Sequence, residues 1–336
     1  MIGQERRPRW ERSGWFEEVA GWVGAELARL GIDAVGAIEE VHRRPWSAVL
    51  RVPTGGGWVY FKATAPAVAH EVTLVEALSR WGAGDVVPVL ATDSGRGWLL
   101  LADGGARLRE IIRADRNLGH WEALLPRYAG LQIELAGRAG ELLALGLPDR
   151  HLATLPAQYE ALLDDTAALG VGQPEGLTED EHRRLRDLAP RFAARCAELA
   201  GYRVPETLNH GDFHDGNIFV RDGRYHFLDW GDSCVSHPFY SLRTTLVSVE
   251  LSLGLAEDAP ELDRLRDAYL EPWMRYGSRE DLRAAFRLAR RLAPVNGALT
   301  WRRALAGLGE AARREYARPV PALLREVLDF ETDDPA

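Results

Sequence analysis

The residues best suited to chemistry lie in His210-Gly211-Asp212-Phe213-His214-Asp215-Gly216-Asn217. Asp212 and Asn217 stand five positions apart in a segment whose Gly, Asp and Asn content reads as a tight loop. Such a loop can aim a carboxylate and a carboxamide at one place. The carboxylate can orient a hydroxyl and accept its proton as the oxygen attacks a phosphoryl group. The amide oxygen can hold Mg²⁺ without adding a second negative charge beside phosphates. Twelve residues after Asn217 comes Asp229-Trp230-Gly231, which supplies another carboxylate for the same kind of cation. The chain has only four asparagines, and Asn209 and Asn217 are two of them.

Lys62 is the single lysine among 41 Lys and Arg residues, so every other basic side chain is arginine. A lysine offers a compact point charge on a flexible stem where arginine offers a wide planar fork. It ends Val59-Tyr60-Phe61-Lys62, a short apolar run that reads as a strand. A phosphate contact is the use to which such a cation is suited.

These residues need elements to hold them. Ser13 opens an amphipathic helix carrying Trp15, Val19, Trp22, Leu27 and Leu30, which Gly31 stops. Strands are expected over 35–41, 49–52 and 58–63, the last two joined by the turn signal Thr54-Gly55-Gly56-Gly57. A helix runs from Pro66 to about Trp81, and strands over 86–91 and 98–102 flank Asp93-Ser94-Gly95-Arg96-Gly97. Asp103-Gly104-Gly105 reads as a hinge, because helical periodicity dominates afterwards. The exceptions are a loop and a hairpin, Ile218–Arg221, Asp222-Gly223 and Tyr225–Leu228. Gly170-Val171-Gly172 follows no strand and is linker rather than a phosphate cradle. The expected fold is α+β in two lobes. Residues 1–102 form a five-stranded antiparallel sheet lobe with a helix, and residues 103–336 a helical lobe with the catalytic loop and acceptor pocket.

Composition narrows the partners. With 46% hydrophobic and 27% charged residues over 336 positions, this is an ordinary globular chain. A net charge of −9 argues against nucleic acid as a partner. Cys196 and Cys234 lack metal-ligand spacing and read as buried free thiols. Met1–Arg7 lacks an apolar leader core, and no run of about 20 apolar residues follows, so the expectation is a cytoplasmic protein without a membrane partner. Its oligomeric state is open.

The catalytic segment matches the kinase loop H-R-D-x-x-x-x-N at His, Asp and Asn. Asp229-Trp230-Gly231 is an aromatic variant of D-F-G, and Lys62 sits like the strand lysine of V-A-I-K. Over most of its length the chain resembles the aminoglycoside phosphotransferase and choline kinase superfamily of small-molecule kinases, which share a protein-kinase-like two-lobe fold. The resemblance implies ATP and Mg²⁺ as cofactors, with Asp212 as catalytic base, Asn217 and Asp229 as metal ligands, and Lys62 on the phosphates. A helix glutamate should hold Lys62. Glu71 and Glu76 are the candidates, and Glu71, in Ala69-His70-Glu71, matches the family pair at the head of this helix. His42–Val49 resembles the short Ser-bearing nucleotide loop of the antibiotic kinases, which adds Ser47; Ala102, where the sheet segment ends, completes the expected nucleotide contacts.

Ala259-Pro260-Glu261 spells the A-P-E that closes a protein-kinase activation segment. Yet Phe239, Leu242, Leu246, Val249 and Leu253 keep helical spacing across the interval, and Pro260 suits a helix start. A platform for a protein substrate is therefore not expected, and the acceptor is a small molecule. Carboxylates for ammonium groups begin with Asp232, followed by Glu250, Glu271 and the acidic tail; Trp230, Tyr240, Trp273 and Trp301 are candidates for stacking. Ser241 stands where relatives often carry Asp. The leading expectation is transfer of the γ-phosphate to a hydroxyl of an aminoglycoside or another amino-bearing antibiotic or sugar. The alternatives are a metabolic kinase for choline, homoserine or a sugar, and a pseudokinase that binds nucleotide without turnover.

Overall fold

The computed structural model describes residues 8–332. Two expectations, the leaderless N-terminus at residues 1–7 and the end of the acidic tail at 333–336, lie outside the described residues. Five strands form one antiparallel sheet: β1 (Glu39–Arg43), β2 (Ser47–Thr54), β3 (Gly57–Thr64), β4 (Val89–Asp93) and β5 (Trp98–Ala102), in the order β1-β2-β3-β5-β4. The first strand starts later than its apolar pattern suggests. Val35 is 66% exposed, and β1 is an edge strand with every residue exposed, so burial does not select its residues. The helix Trp15–Arg29 starts after Gly14, whose φ of +79° supplies the entry turn that Ser13 was expected to cap. Its Trp15, Val19, Val23 and Leu27 pack with Leu50, Phe61 and Trp98 of the sheet. Edge-on aromatic contacts, Phe61 to Trp98 at 5.5 Å and Trp22 to Phe61 at 5.8 Å, knit helix to sheet.

Six short strands complete the inventory among the described residues: β6 (Ala106–Arg107), β7 (Asp149–Arg150), β8 (Thr207–Asn209), β9 (Ile218–Arg221), β10 (Arg224–Phe227) and β11 (Cys234–Ser236). They make two three-stranded sheets, β10-β9-β6 and β7-β11-β8. The β9–β10 hairpin turns at Asp222 and Gly223, both at positive φ, as its Asp-Gly signal demands.

The chain divides into two compact units. The first comprises residues 1–107, 218–231 and 304–314; the second comprises 108–217, 232–303 and 315–336. The hairpin therefore lies with the first unit, although chain order suggested the helical part. Its pairing with β6 is the reason. The Asp103–Gly105 segment is tied to it as well. Arg221 donates to the Asp103 carbonyl at 3.1 Å, and a Cβ on Gly105 (φ +93°) would meet the Val220 carbonyl at 2.2 Å. In the second unit, helices Tyr240–Leu253 and Pro260–Leu270 occupy the A-P-E interval, and Pro260 is in the first turn of its helix. Glu331 belongs to the last helix, Pro319–Thr332, and pairs with Arg191 and Arg195. Cys196 and Cys234 are buried free thiols. Among the described residues, no helix is long and apolar enough to cross a membrane.

Candidate active site

Two clusters carry the titratable chemistry, one in each unit. In the first, β3 brings Lys62 into the interior and the helix His70–Arg80 brings Glu71. The Lys62 ammonium donates to Glu71 Oε1 and to Asp229 Oδ1, both at 2.7 Å. Glu76 instead lies near β4, where it accepts from Thr92 at 3.3 Å. Burial works against the charge on Lys62, but the two carboxylates outweigh it and raise its pKa. For Glu71, burial dominates and raises the pKa, while Lys62 holds it back. Glu71 Oε1 also accepts the Trp230 N–H at 3.1 Å, and Glu71 Oε2 is buried without a hydrogen-bond partner.

Asp229 adopts φ of +63°, a left-handed conformation that Asp tolerates better than most residues. Trp230 anchors that turn, fully buried and bonded through its indole N–H to the Phe227 carbonyl. The Asp229 side chain stays 57% exposed, so one oxygen meets Lys62 while the carboxylate faces solvent. His42, on the surface-exposed strand β1, sits within electrostatic reach of Lys62 and Asp229, and desolvation by its neighbours lowers its pKa.

In the second unit the catalytic loop hangs on a buried network. Asn209 Oδ1 accepts from Gly211 N–H at 2.8 Å and from the Ser241 hydroxyl at 2.7 Å. Ser241 is in turn 2.7 Å from the Tyr128 hydroxyl, which accepts the His210 N–H at 3.0 Å. Phe213 stacks on Tyr128 with ring centroids 3.8 Å apart. Gly211 is at φ +82°, and a Cβ there would lie 2.3 Å from the Asp232 carbonyl. With that anchor in place, Asp212 Oδ2 accepts from Asn217 Nδ2 at 2.9 Å and lies 3.2 Å from His214 Nε2. Asn217 Nδ2 also donates to the Asp212 carbonyl. Its nitrogen is thereby committed to Asp212.

A family model of phosphotransferase enzymes, APH, matches residues 38–283. The chain belongs to this phosphotransferase family. A glucosamine kinase from Streptacidiphilus jiangxiensis is 37% identical to this phosphotransferase-family chain over 102 residues. That stretch is 25% of the chain and 23% of the relative, so the chain matches less than a quarter of that protein. An ethanolamine kinase from Plasmodium vivax has a TM-score of 0.62 at 15% identity, covering 96% of this chain and 91% of that one. A choline/ethanolamine kinase family protein from Mesorhizobium loti has a TM-score of 0.61 at 17% identity, covering 93% and 96%. The fold is the α+β, protein-kinase-like fold that the sequence resemblance implied.

The remaining expected site residues are distributed as follows in this phosphotransferase-family protein. Ser47 opens β2 and is 6% exposed, with its carbonyl accepting the Arg44 N–H at 2.7 Å. Ala102 ends β5 and donates its N–H to the Pro88 carbonyl at 3.0 Å. Asp232 closes the 3-10 turn Trp230–Asp232, and both it and Arg150 act electrostatically on Arg303. The stacking candidates are corrected. Trp230, Tyr240 and Trp273 are buried core aromatics, and Trp301 packs on Tyr316 with centroids 6.4 Å apart. Glu271 pairs with Arg279 at 2.6 Å, and partial burial raises the pKa of Glu250.

Magnesium needs only one or two protein carboxylates when phosphates and waters complete its octahedron. Among the described residues no group of three or more His, Cys, Asp or Glu could hold a metal by itself. In the first unit Asp229 presents a partly exposed carboxylate of the kind Mg²⁺ takes. Sequence reading missed Arg109 and the work of Asp215. Arg109 lies 106 residues from Asp215 in the chain, and no local pattern joins them.

Proposed function

We propose that this chain is an ATP-dependent small-molecule kinase whose acceptor is an alcohol bearing an amino group, an amino sugar or aminoglycoside first. One observation carries the kinase reading. The only lysine of the chain is buried and bonded at 2.7 Å to a helix carboxylate and to Asp229, a constellation suited to gripping phosphates beside a cation. Bound ATP with Mg²⁺ supplies the γ-phosphoryl group. In this reading Lys62 holds the phosphates, Glu71 holds Lys62, and Asp229 and Asn217 are the metal ligands. Ser47 and Ala102 belong to the nucleotide side, as parts of a sheet lobe spanning residues 1–102. Asp212 orients the acceptor hydroxyl and takes its proton. Asp212 suits that task because two donors hold its Oδ2.

The acceptor class draws support from the relatives, named for glucosamine, ethanolamine and choline, all small alcohols carrying an amine or ammonium group. Asp232 is the carboxylate assigned to that group. A second reading, an amino-acid alcohol such as homoserine, is favoured by Arg303 and Arg150. A carboxylate-bearing acceptor could use Arg303, which lies within electrostatic reach of both Asp232 and Arg150.

Acceptor-dependent ADP release in Mg·ATP, measured across aminoglycosides, glucosamine, ethanolamine, choline, homoserine and glucose, tests the proposal. An amino alcohol should turn over best, and Asp232→Asn should raise its KM more than the KM for ATP. Homoserine as best substrate selects the second reading. Glucose turning over better than every amine refutes the amino-acceptor reading. ATP bound without turnover of any acceptor marks a pseudokinase.

A further inference from the structure

His214 lies two residues after Asp212, and three short contacts of its ring together define its state, with Asp215 Oδ1 farther off at 3.9 Å from Nδ1. Its Nδ1 accepts the Gly216 N–H at 2.9 Å and faces the Arg109 guanidinium at 3.3 Å. Both are obligate donors, so Nδ1 carries a lone pair and the proton sits on Nε2. Nε2 lies 3.2 Å from Asp212 Oδ2. Arg109 does not reach His214 by chance. Asp215, 1% exposed, accepts Arg109 Nε at 2.8 Å, and its backbone carbonyl accepts the Arg109 N–H at 3.1 Å. Ser248 and Ser252, one turn apart on the helix Tyr240–Leu253, donate to the Asp215 carboxylate at 3.2 and 2.8 Å. A buried carboxylate therefore fixes a guanidinium, the guanidinium fixes an imidazole tautomer, and the imidazole donates to the acceptor-facing aspartate.

We propose that His214 is a positioning residue, locked by Arg109 and Asp215 as the Nε2–H tautomer so that it orients the carboxylate of Asp212. This rests on the reading of Asp212 as the base. Asn217 alone would leave that carboxylate free to swing about a single donor, and a second donor on the same oxygen fixes its plane. Protonation at Nδ1 would set a new N–H against the Gly216 and Arg109 donors. The charged groups facing the ring are Asp212, Asp215 and Arg109.

Two measurements test this. Long-range ¹H–¹⁵N NMR of histidine-labelled protein, with His214 assigned through the His214→Gln variant, should show the Nε2–H tautomer at neutral pH. Arg109→Leu should shift His214 to a tautomer mixture. This readout does not depend on turnover, so it holds even if Asp212 is not the base. In kinetics, His214→Leu should lower kcat about 10- to 100-fold, the worth of one charge-assisted hydrogen bond, with KM for ATP unchanged. His214→Gln keeps a donor without a titrating ring. It should recover most of kcat and shift the acid limb of the pH–kcat profile. A neutral Nδ1–H tautomer in the wild type overturns the proposal. So does equal impairment of the Leu and Gln variants with an unmoved acid limb. If instead Asp212→Asn retained full turnover while the Nε2–H tautomer was observed, the base assignment would fail and the tautomer lock would stand.

Discussion

Lys62 compensates the buried charge of Glu71, and its removal should be read first as a stability experiment. In Lys62→Met, Glu71 keeps only the Trp230 N–H at 3.1 Å, and its Oε2 already lacks a partner. At 2.7 Å and an effective dielectric constant of about 20, the lost attraction to Glu71 is of order 6 kcal/mol. Desolvation of the two ions offsets much of that, and breaking such a buried pair typically costs about 3–5 kcal/mol because one charge is left without compensation. Asp229 adds little, since its side chain is 57% exposed and water screens it. The sign with pH follows from Glu71. Burial already holds its folded-state pKa above the ordinary carboxylate value, and loss of Lys62 raises it further. The folded variant then binds a proton that the unfolded chain does not, so stability is retained in acid and falls as pH rises through the folded-state pKa. Urea unfolding should show the full deficit near pH 8 and a clearly smaller one near pH 5. The double variant Lys62→Met with Glu71→Gln should recover stability at pH 8. A deficit independent of pH, or a double variant no more stable than the single one, would refute the assignment of the cost to an orphaned Glu71.

Asp212→Asn should lower kcat by about 10²–10⁴, the usual worth of a positioned base, with nucleotide binding nearly unchanged by calorimetry. Asp229→Ala should instead abolish Mg²⁺-dependent nucleotide binding, and identical behaviour of the two variants would sink their separate roles. Gly211→Ala combines φ of +82° with a Cβ placed 2.3 Å from the Asp232 carbonyl. It should cost about 1–3 kcal/mol in urea unfolding and depress kcat by displacing Asp212, whereas wild-type turnover would show that the loop relaxes freely.

The spacing of Asp212 and Asn217, the solitary Lys62 and the Asp229-Trp230-Gly231 turn were all legible in the sequence, because local chemistry constrains them. A tight loop needs Gly and Asn, a strand lysine ends an apolar run, and an Asp-Gly pair turns a hairpin. The five antiparallel strands and the helix after Pro66 followed from alternation and turn signals in the same way. Tertiary structure decided the rest. Glu71 rather than Glu76 meets Lys62 because the helix packs against β4, which turns Glu76 toward Thr92 and Glu71 toward Lys62. The β7-β11-β8 sheet was invisible because strands of two or three residues carry no periodicity. The hairpin joined the first unit through a two-residue strand at Ala106–Arg107 that no local pattern marks. Trp230, Tyr240 and Trp273 turned from stacking candidates into core, since aromatic side chains look alike in sequence whether they line a surface or fill an interior. The Asp215–Arg109–His214 chain joins residues more than a hundred positions apart. Only a folded chain can put a guanidinium beside an imidazole and so select which of its nitrogens carries the proton.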